Sequence, residues 1–170
     1  MATPSCFAAS FSDHQIKAAF IFNFANFVRW PKEAFAGDGS PFVICASNAQ
    51  SPTIKTLAEV VEDESINSHK LIVKAPFDPT ELSDCHILFL EKADIADYQT
   101  QLAKLSTGKL LTVSDTRNFV DKGGLIQLTL NKARIQPTIN TIQVERSQLK
   151  VSSTLLRLAN IYRSPAEGDK

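Results

Sequence analysis

Apolar residues run through HQIKAAFIFNFANFVRW with no breaker until Pro31. This pattern predicts a helix that starts at an N-cap on Asp13 and ends before the proline, where the α region is disfavoured. On a helical wheel Ile16, Ala19, Phe20, Asn23, Phe27 and Trp30 share one face. Asn23 is therefore expected to be a structural polar residue, buried among apolar neighbours and bonded to the backbone of a nearby loop. Ile21, Phe22, Phe24, Ala25 and Val28 lie outside that face, so the helix is apolar almost all round. Either a second element or another copy of the chain must cover it, and a homodimer is the expected assembly.

After the turn-rich AGDGSP, FVICAS is a short β-like run, and SPTIKTLAEVVED restarts as a helix with Ser51 as cap and Pro52 in its first position. HKLIVKAP and CHILFLE supply a second and third strand, IADYQTQLAKLS a helix, and KLLTVSD a fourth strand. LIQLTLNKARIQPTIN offers two more strands joined at Asn131-Lys132 as a hairpin. VSSTLLRLANIY closes the chain as an amphipathic helix with Val151, Leu155, Leu158, Ala159 and Tyr162 on one face. The order predicts an α/β domain: a single, mostly parallel sheet of about six strands with helices on both faces and a helix at each terminus.

Composition narrows the function classes. The chain has 170 residues, 44% of them hydrophobic and 21% charged, which suits one globular domain with one core. Eighteen basic residues balance eighteen acidic ones, and the basic residues are scattered singly, so no nucleic-acid partner is expected. No run approaches the roughly 18–20 apolar residues that span a bilayer. MATPSCFAASFSD carries no charge before Asp13 and holds Ala8-Ala9-Ser10, small residues placed as at a secretory cleavage site. Residues 1–10 read as the remainder of a signal peptide or a disordered tail, 11–163 as one domain, and 164–170 as a disordered tail.

Cys85-His86 invites a catalytic reading, but neighbours in a strand point to opposite faces of the sheet. Cys85 would lie beside Ile87 and Phe89, and His86 beside Leu88 and Leu90, so the two form no nucleophile-base dyad. His86 is expected to be a strand-end residue held by a local hydrogen bond. Cys6, Cys45, Cys85, His14, His69 and His86 contain no C-x-x-C or H-x-x-x-H pair, so no metal is expected. A cystine is the remaining option, since the strands holding Cys45 and Cys85 can be neighbours at the roughly 4.4–6.8 Å Cα separation a bridge requires. TGKLL and KGGLI do not fit a phosphate loop, and Gly123-Gly124 reads as a tight turn needing positive φ. No cofactor is implied. A small α/β enzyme using Cys85 or Asp115 in a cleft stays open as a rival reading.

Together KAAFIFNFANFVRWP, FVICAS, CHILFLEK, LLTVSD, NFVDKGGLIQL, IQPTIN and VSSTLLRLA resemble the YfiR-like family of periplasmic proteins, from Ile16 to Ala159. The resemblance implies that residues 11–163 form a YfiR-like domain and that Cys45 and Cys85 are the paired cysteines of the family pattern. Members can carry a second cystine, for which this chain has no residues. The resemblance further implies a non-enzymatic periplasmic regulator that binds the periplasmic domain of a membrane-anchored diguanylate cyclase, or a similar sensor, and lowers cyclic di-GMP signalling and biofilm formation. A soluble receptor for a small-molecule ligand is the alternative, and the two are compatible.

In open α/β sheets, ligands lie outside the carboxyl ends of the strands. Those positions hold Ser47 and Asn48 after the first strand, Glu91 and Lys92 after the third, and Asp115, Arg117, Asn118 and Phe119 after the fourth. Ser47, Asn48, Asp115, Arg117, Asn118 and Phe119 are the candidate partner- or ligand-binding residues, a mixture suited to a small zwitterion or a polar loop. Asp115 can equally cap the following turn, and Phe119 can tuck into the core ahead of Gly123.

Overall fold

A computed structural model describes residues 10–91, 108–132 and 134–164. The predicted helix IADYQTQLAKLS, Lys92 and both chain ends lie outside the described residues. Helix α1 spans Asp13–Phe27. Its N-cap is Ser12, one residue earlier than expected: Ser12 Oγ accepts from the Gln15 N–H, and the Gln15 side chain accepts from the Ser12 N–H in a capping box. The helix also stops short of the proline, because Val28–Arg29 leaves as strand β1.

Seven further strands follow in chain order: β2 (Phe42–Ala46), β3 (Ser65–Ile66), β4 (His69–Lys74), β5 (Ile87–Leu90), β6 (Leu111–Ser114), β7 (Ile126–Asn131) and β8 (Arg134–Ile139). The last two are β9 (Lys150–Val151) and β10 (Asn160–Ile161). β1 pairs only with β9, antiparallel. The rest form one sheet of eight strands in the order β10, β8, β7, β6, β5, β2, β4, β3. The α/β class matches expectation, but the sheet is larger and more mixed than the six-strand reading. All six expected strands are present. The additions are two-residue edges: β3, turned antiparallel onto β4 through Asn67 and Ser68, both at positive φ, and β10, parallel to β8.

Five neighbouring strands, β4-β2-β5-β6-β7, run parallel. Renumbered among themselves they read 2-1-3-4-5, so the connections reverse direction beside β2. Helix α2 (Pro52–Val61) links β2 to β4 and packs against α1 on one face of the sheet. Alternation then sorts the side chains: Phe42, Ile44, Ala46, Ile87, Phe89, Leu111 and Val113 join the core beneath the helices. Val43, Cys45, Leu88 and Leu90 face the other way, where Phe77, Leu82, Leu110 and Phe119 meet them.

The buried stripe of α1 is Ala18, Ile21, Phe24 and Ala25, continued by Val28, while Asn23 is exposed. The expectation of a buried Asn23 is thus corrected. With apolar residues all round, the helix can bury a stripe that contains no polar side chain, which avoids stranding an amide. The C-terminal helix is shorter than expected. It covers only Ser153–Leu158 and buries only Leu155, because Asn160 and Ile161 leave to pair with β8.

Cys45 and Cys85 form a buried disulfide with a Cα separation of 5.8 Å across 40 residues. Cys85 lies before β5 begins at Ile87, so strand alternation does not reach it. It joins Leu88 and Leu90, not Ile87 and Phe89 as the strand reading had it. In the chain-entropy model a loop of this length is worth about 4 kcal/mol. The double variant Cys45→Ala/Cys85→Ala is expected to melt roughly 8–16 °C below the wild type, given about 2–4 °C per kcal/mol at this size. An unchanged melting temperature by calorimetry would show that the bridge contributes nothing to stability.

Candidate functional site

His86 ties together the amino ends of three elements. Its backbone N–H donates to the Val43 carbonyl (2.8 Å), and its ring Nδ1 accepts from the Val43 N–H (3.0 Å). An accepting Nδ1 leaves the proton on Nε2, which donates to the Ala34 carbonyl at 3.0 Å. The His86 carbonyl takes Leu111 N–H (2.9 Å) and Trp30 Nε1–H (3.2 Å). The ring stacks on Phe42 and Phe35, with Trp30 edge-on, and Phe35 in turn stacks on His69. A cleft of about 460 Å³ opens alongside, lined in part by Phe35, Val43, Ile72, Lys74 and Asp84. His86 therefore does not point with Leu88 and Leu90 as the strand reading required. It precedes β5, and its ring turns toward the aromatic group around Phe42.

Burial lowers the His86 pKa below the usual 6.5 and is the largest cause. The charge of His69 adds to the fall, while the Ala34 carbonyl and Asp84 pull the other way. The imidazole is thus held neutral, as its accepting Nδ1 requires.

The carboxyl edge is built differently. Ser114 Oγ donates to the Leu90 carbonyl (2.6 Å) and accepts from Thr116 N–H (3.1 Å), so Ser114, not Asp115, caps the turn. Asp115 instead meets Lys17 of α1: Oδ2 lies 2.7 Å from Nζ, with both side chains mostly buried. Ser51 is the N-cap residue of α2 as expected, but its hydroxyl makes no cap bond and donates instead to Glu91 at 2.5 Å, which ties the start of α2 to the end of β5. Three buried side-chain atoms have no hydrogen-bond partner among the described residues: Ser47 Oγ, Asp115 Oδ1 and Thr116 Oγ1. All follow β2 or β6, the strands flanking β5.

The six candidate residues therefore divide. Ser47 and Asp115 share this edge. Asn48 is exposed and spends its side chain on the Gln50 N–H. Arg117 and Asn118 are exposed, with Asn118 at φ 65°. Phe119 is only 1% exposed and is removed from the candidate surface. The bend at Asn118 swings its ring into the second core and over Gly124, where an added Cβ would come within 2.2 Å of the ring. Of the expected glycine turn, Gly123 does take positive φ (95°), whereas Gly124 is needed for close approach. Lys17 and Thr116 escaped sequence reading, and Ser51 was legible only as the cap of α2. Lys17 is 98 positions from Asp115, and no local pattern marks such a pair. Cys85 is consumed by its disulfide, which removes it as a nucleophile.

The family described as YfiR/HmsC-like matches residues 14–160. No curated protein matches the chain.

The His86 geometry sets a pH dependence. Between the lowered folded pKa and the ordinary 6.5, the unfolded chain binds more protons, so stability rises with pH there. The contribution is complete above 6.5 and is lost as pH falls through the folded value. His86→Phe leaves the Val43 N–H without its acceptor, at about 1–3 kcal/mol. Urea unfolding at about pH 7.5 and about pH 5.5, a window set by histidine titration, is expected to show a smaller acid-induced loss in the variant. An equal loss in both proteins would clear His86 of the effect.

Proposed function

The chain belongs to the YfiR/HmsC-like family, and on that premise we propose that it is a non-enzymatic periplasmic regulator. It binds the periplasmic domain of a membrane-anchored diguanylate cyclase or similar sensor, lowering cyclic di-GMP output and with it biofilm formation. The observation that carries this reading is the family match, which spans most of the domain. The buried Cys45–Cys85 bridge supports the compartment, because structural disulfides persist where the surroundings are oxidising. No helix among the described residues is long and apolar enough to cross a membrane, so a secreted regulator would reach the cyclase through a protein contact.

Deleting the gene in its native host is expected to raise cyclic di-GMP and surface attachment, and a copy exported to the periplasm should restore both. Mass-spectrometric quantification of the nucleotide decides the matter. A level unmoved by deletion would remove the regulator reading.

A second reading, a small-molecule receptor, is favoured by the orphaned Ser47, Asp115 and Thr116 atoms at the carboxyl edge. Lys17 balances Asp115, so the site suits a ligand with no net charge that offers donors to Asp115 Oδ1 and the two hydroxyls. Ligand that binds only the folded state raises the melting temperature by mass action. A thermal-shift panel of amino acids and small polyols is expected to yield stabilisation that Asp115→Asn abolishes. No shift in the wild type across the panel would retire the receptor.

A further inference from the structure

The outer side of the α1–α2 pair carries an apolar hollow of about 390 Å³. Ile16, Ala19, Phe20 and Asn23 of α1 form one wall, and Thr56 and Val60 of α2 the other. Phe11 stands at its lip, 72% exposed, and Val60 is 38% exposed. These are two of the five large apolar side chains exposed among the described residues. Leaving them in water forgoes the burial that drives association, and concave apolar surface of this kind marks interaction sites.

The hollow's lining carries no charge, but the chain beside its α2 wall is mostly acidic. Glu59, next to Val60, and Glu62, Asp63 and Glu64, which continue from the end of α2, are all exposed. Among the described residues the ion pairs are Lys17–Asp115 and Lys74–Glu81, so none of these four acids is neutralised. Against these four acids stand two exposed cations, Lys55 on α2 and Lys70, which lies opposite Ser65 in the β3–β4 pair. The whole chain balances eighteen positive and eighteen negative side chains, so this is local asymmetry. It argues against a second copy as occupant, because a homodimer through the hollow would press two acid-rimmed faces together.

We infer that the α1–α2 hollow is a docking groove for a cationic amphipathic segment of a partner protein. Apolar side chains of the segment fill the space between Ile16, Ala19, Phe20 and Val60, and its Lys or Arg residues meet Glu59 and the acids after α2. A helix laid into a groove by its apolar face is a recurrent mode of recognition. The inference deepens the reading above and rests on it in one respect: the segment belongs to the partner whose output the regulator lowers.

The test uses the full chain and two synthetic helical peptides of about 18 residues, five turns, with identical leucine faces. One has lysine on its polar face and the other glutamate. Fluorescence anisotropy is expected to show binding of the lysine peptide, weakened by added salt, and little binding of the glutamate peptide. Val60→Glu and Ala19→Glu, both at exposed positions where folding tolerates change, should each weaken the lysine peptide by roughly tenfold or more, the cost of forcing a charge against an apolar ligand face. Glu59→Lys/Glu62→Lys should reverse the preference between peptides.

Equal binding of both peptides, or undiminished binding to Val60→Glu, overturns the groove. So does a concentration-dependent dimer, by light scattering, that Val60→Glu abolishes, since the occupant would then be a second copy. In the deletion strain, Val60→Glu accumulating at wild-type levels is expected to leave cyclic di-GMP high. If it restores the level, the groove does not hold the restrained partner. If deletion itself changes nothing, the regulator reading fails while the peptide result stands.

Discussion

A neutral imidazole that accepts from the Val43 amide is the contact on which the amino end of this sheet depends. β5 is the central strand of the parallel layer, and its ladder with β2 is extended by a side chain: His86 fills both backbone positions of Val43. Through its carbonyl the same residue holds Leu111 and Trp30, and through Nε2 the segment after α1. An ionised ring could not accept at Nδ1, so burial and hydrogen bonding demand the same protonation state. The aromatic packing of Phe35, Phe42 and Trp30 supplies the low-dielectric surroundings that enforce it.

One residue away, the disulfide acts on the opposite side of the sheet. Cys85 and His86 are neighbours whose side chains serve different layers, the sulfur joining the Leu88–Phe119 core and the ring the group around Phe42. The connection into β5 is thereby fixed covalently on one face and by hydrogen bonds on the other. The carboxyl end has a different character, with the Lys17–Asp115 pair and orphaned hydroxyls in place of a sealed ladder. One end of the sheet is held by a filled set of hydrogen bonds, and the other keeps three buried polar atoms without a partner among the described residues.

The strands were legible in the sequence because buried parallel strands are apolar on both faces and are bounded by turn residues, as FVICAS and LLTVSD are. The six principal strands and the cystine followed from that pattern. The two-residue edges did not, since pairs such as Ser65-Ile66 are too short for any periodicity to register. Nor did the burial side of α1: a helix apolar around its circumference offers no stripe to a helical wheel, and only the position of α2 decides that Asn23 faces out. At the candidate site, Ser47 and Asp115 were placed by the rule for strand carboxyl ends. Of the two readings of Phe119 the core one holds, and sequence could not choose between them because a single positive φ at Asn118 decides whether the next ring faces solvent or core.

The two-residue strands at the sheet's borders leave part of each edge open. Long open edges offer rows of main-chain donors and acceptors that almost any extended peptide can extend. Here β3 covers only His69 and Lys70 of β4, and β10 only Thr138 and Ile139 of β8, so the rest of each strand has no ladder partner on its outer side among the described residues. Lys74, Arg134 and Pro137 lie on those open stretches, where charge and a missing amide proton discourage pairing with another chain.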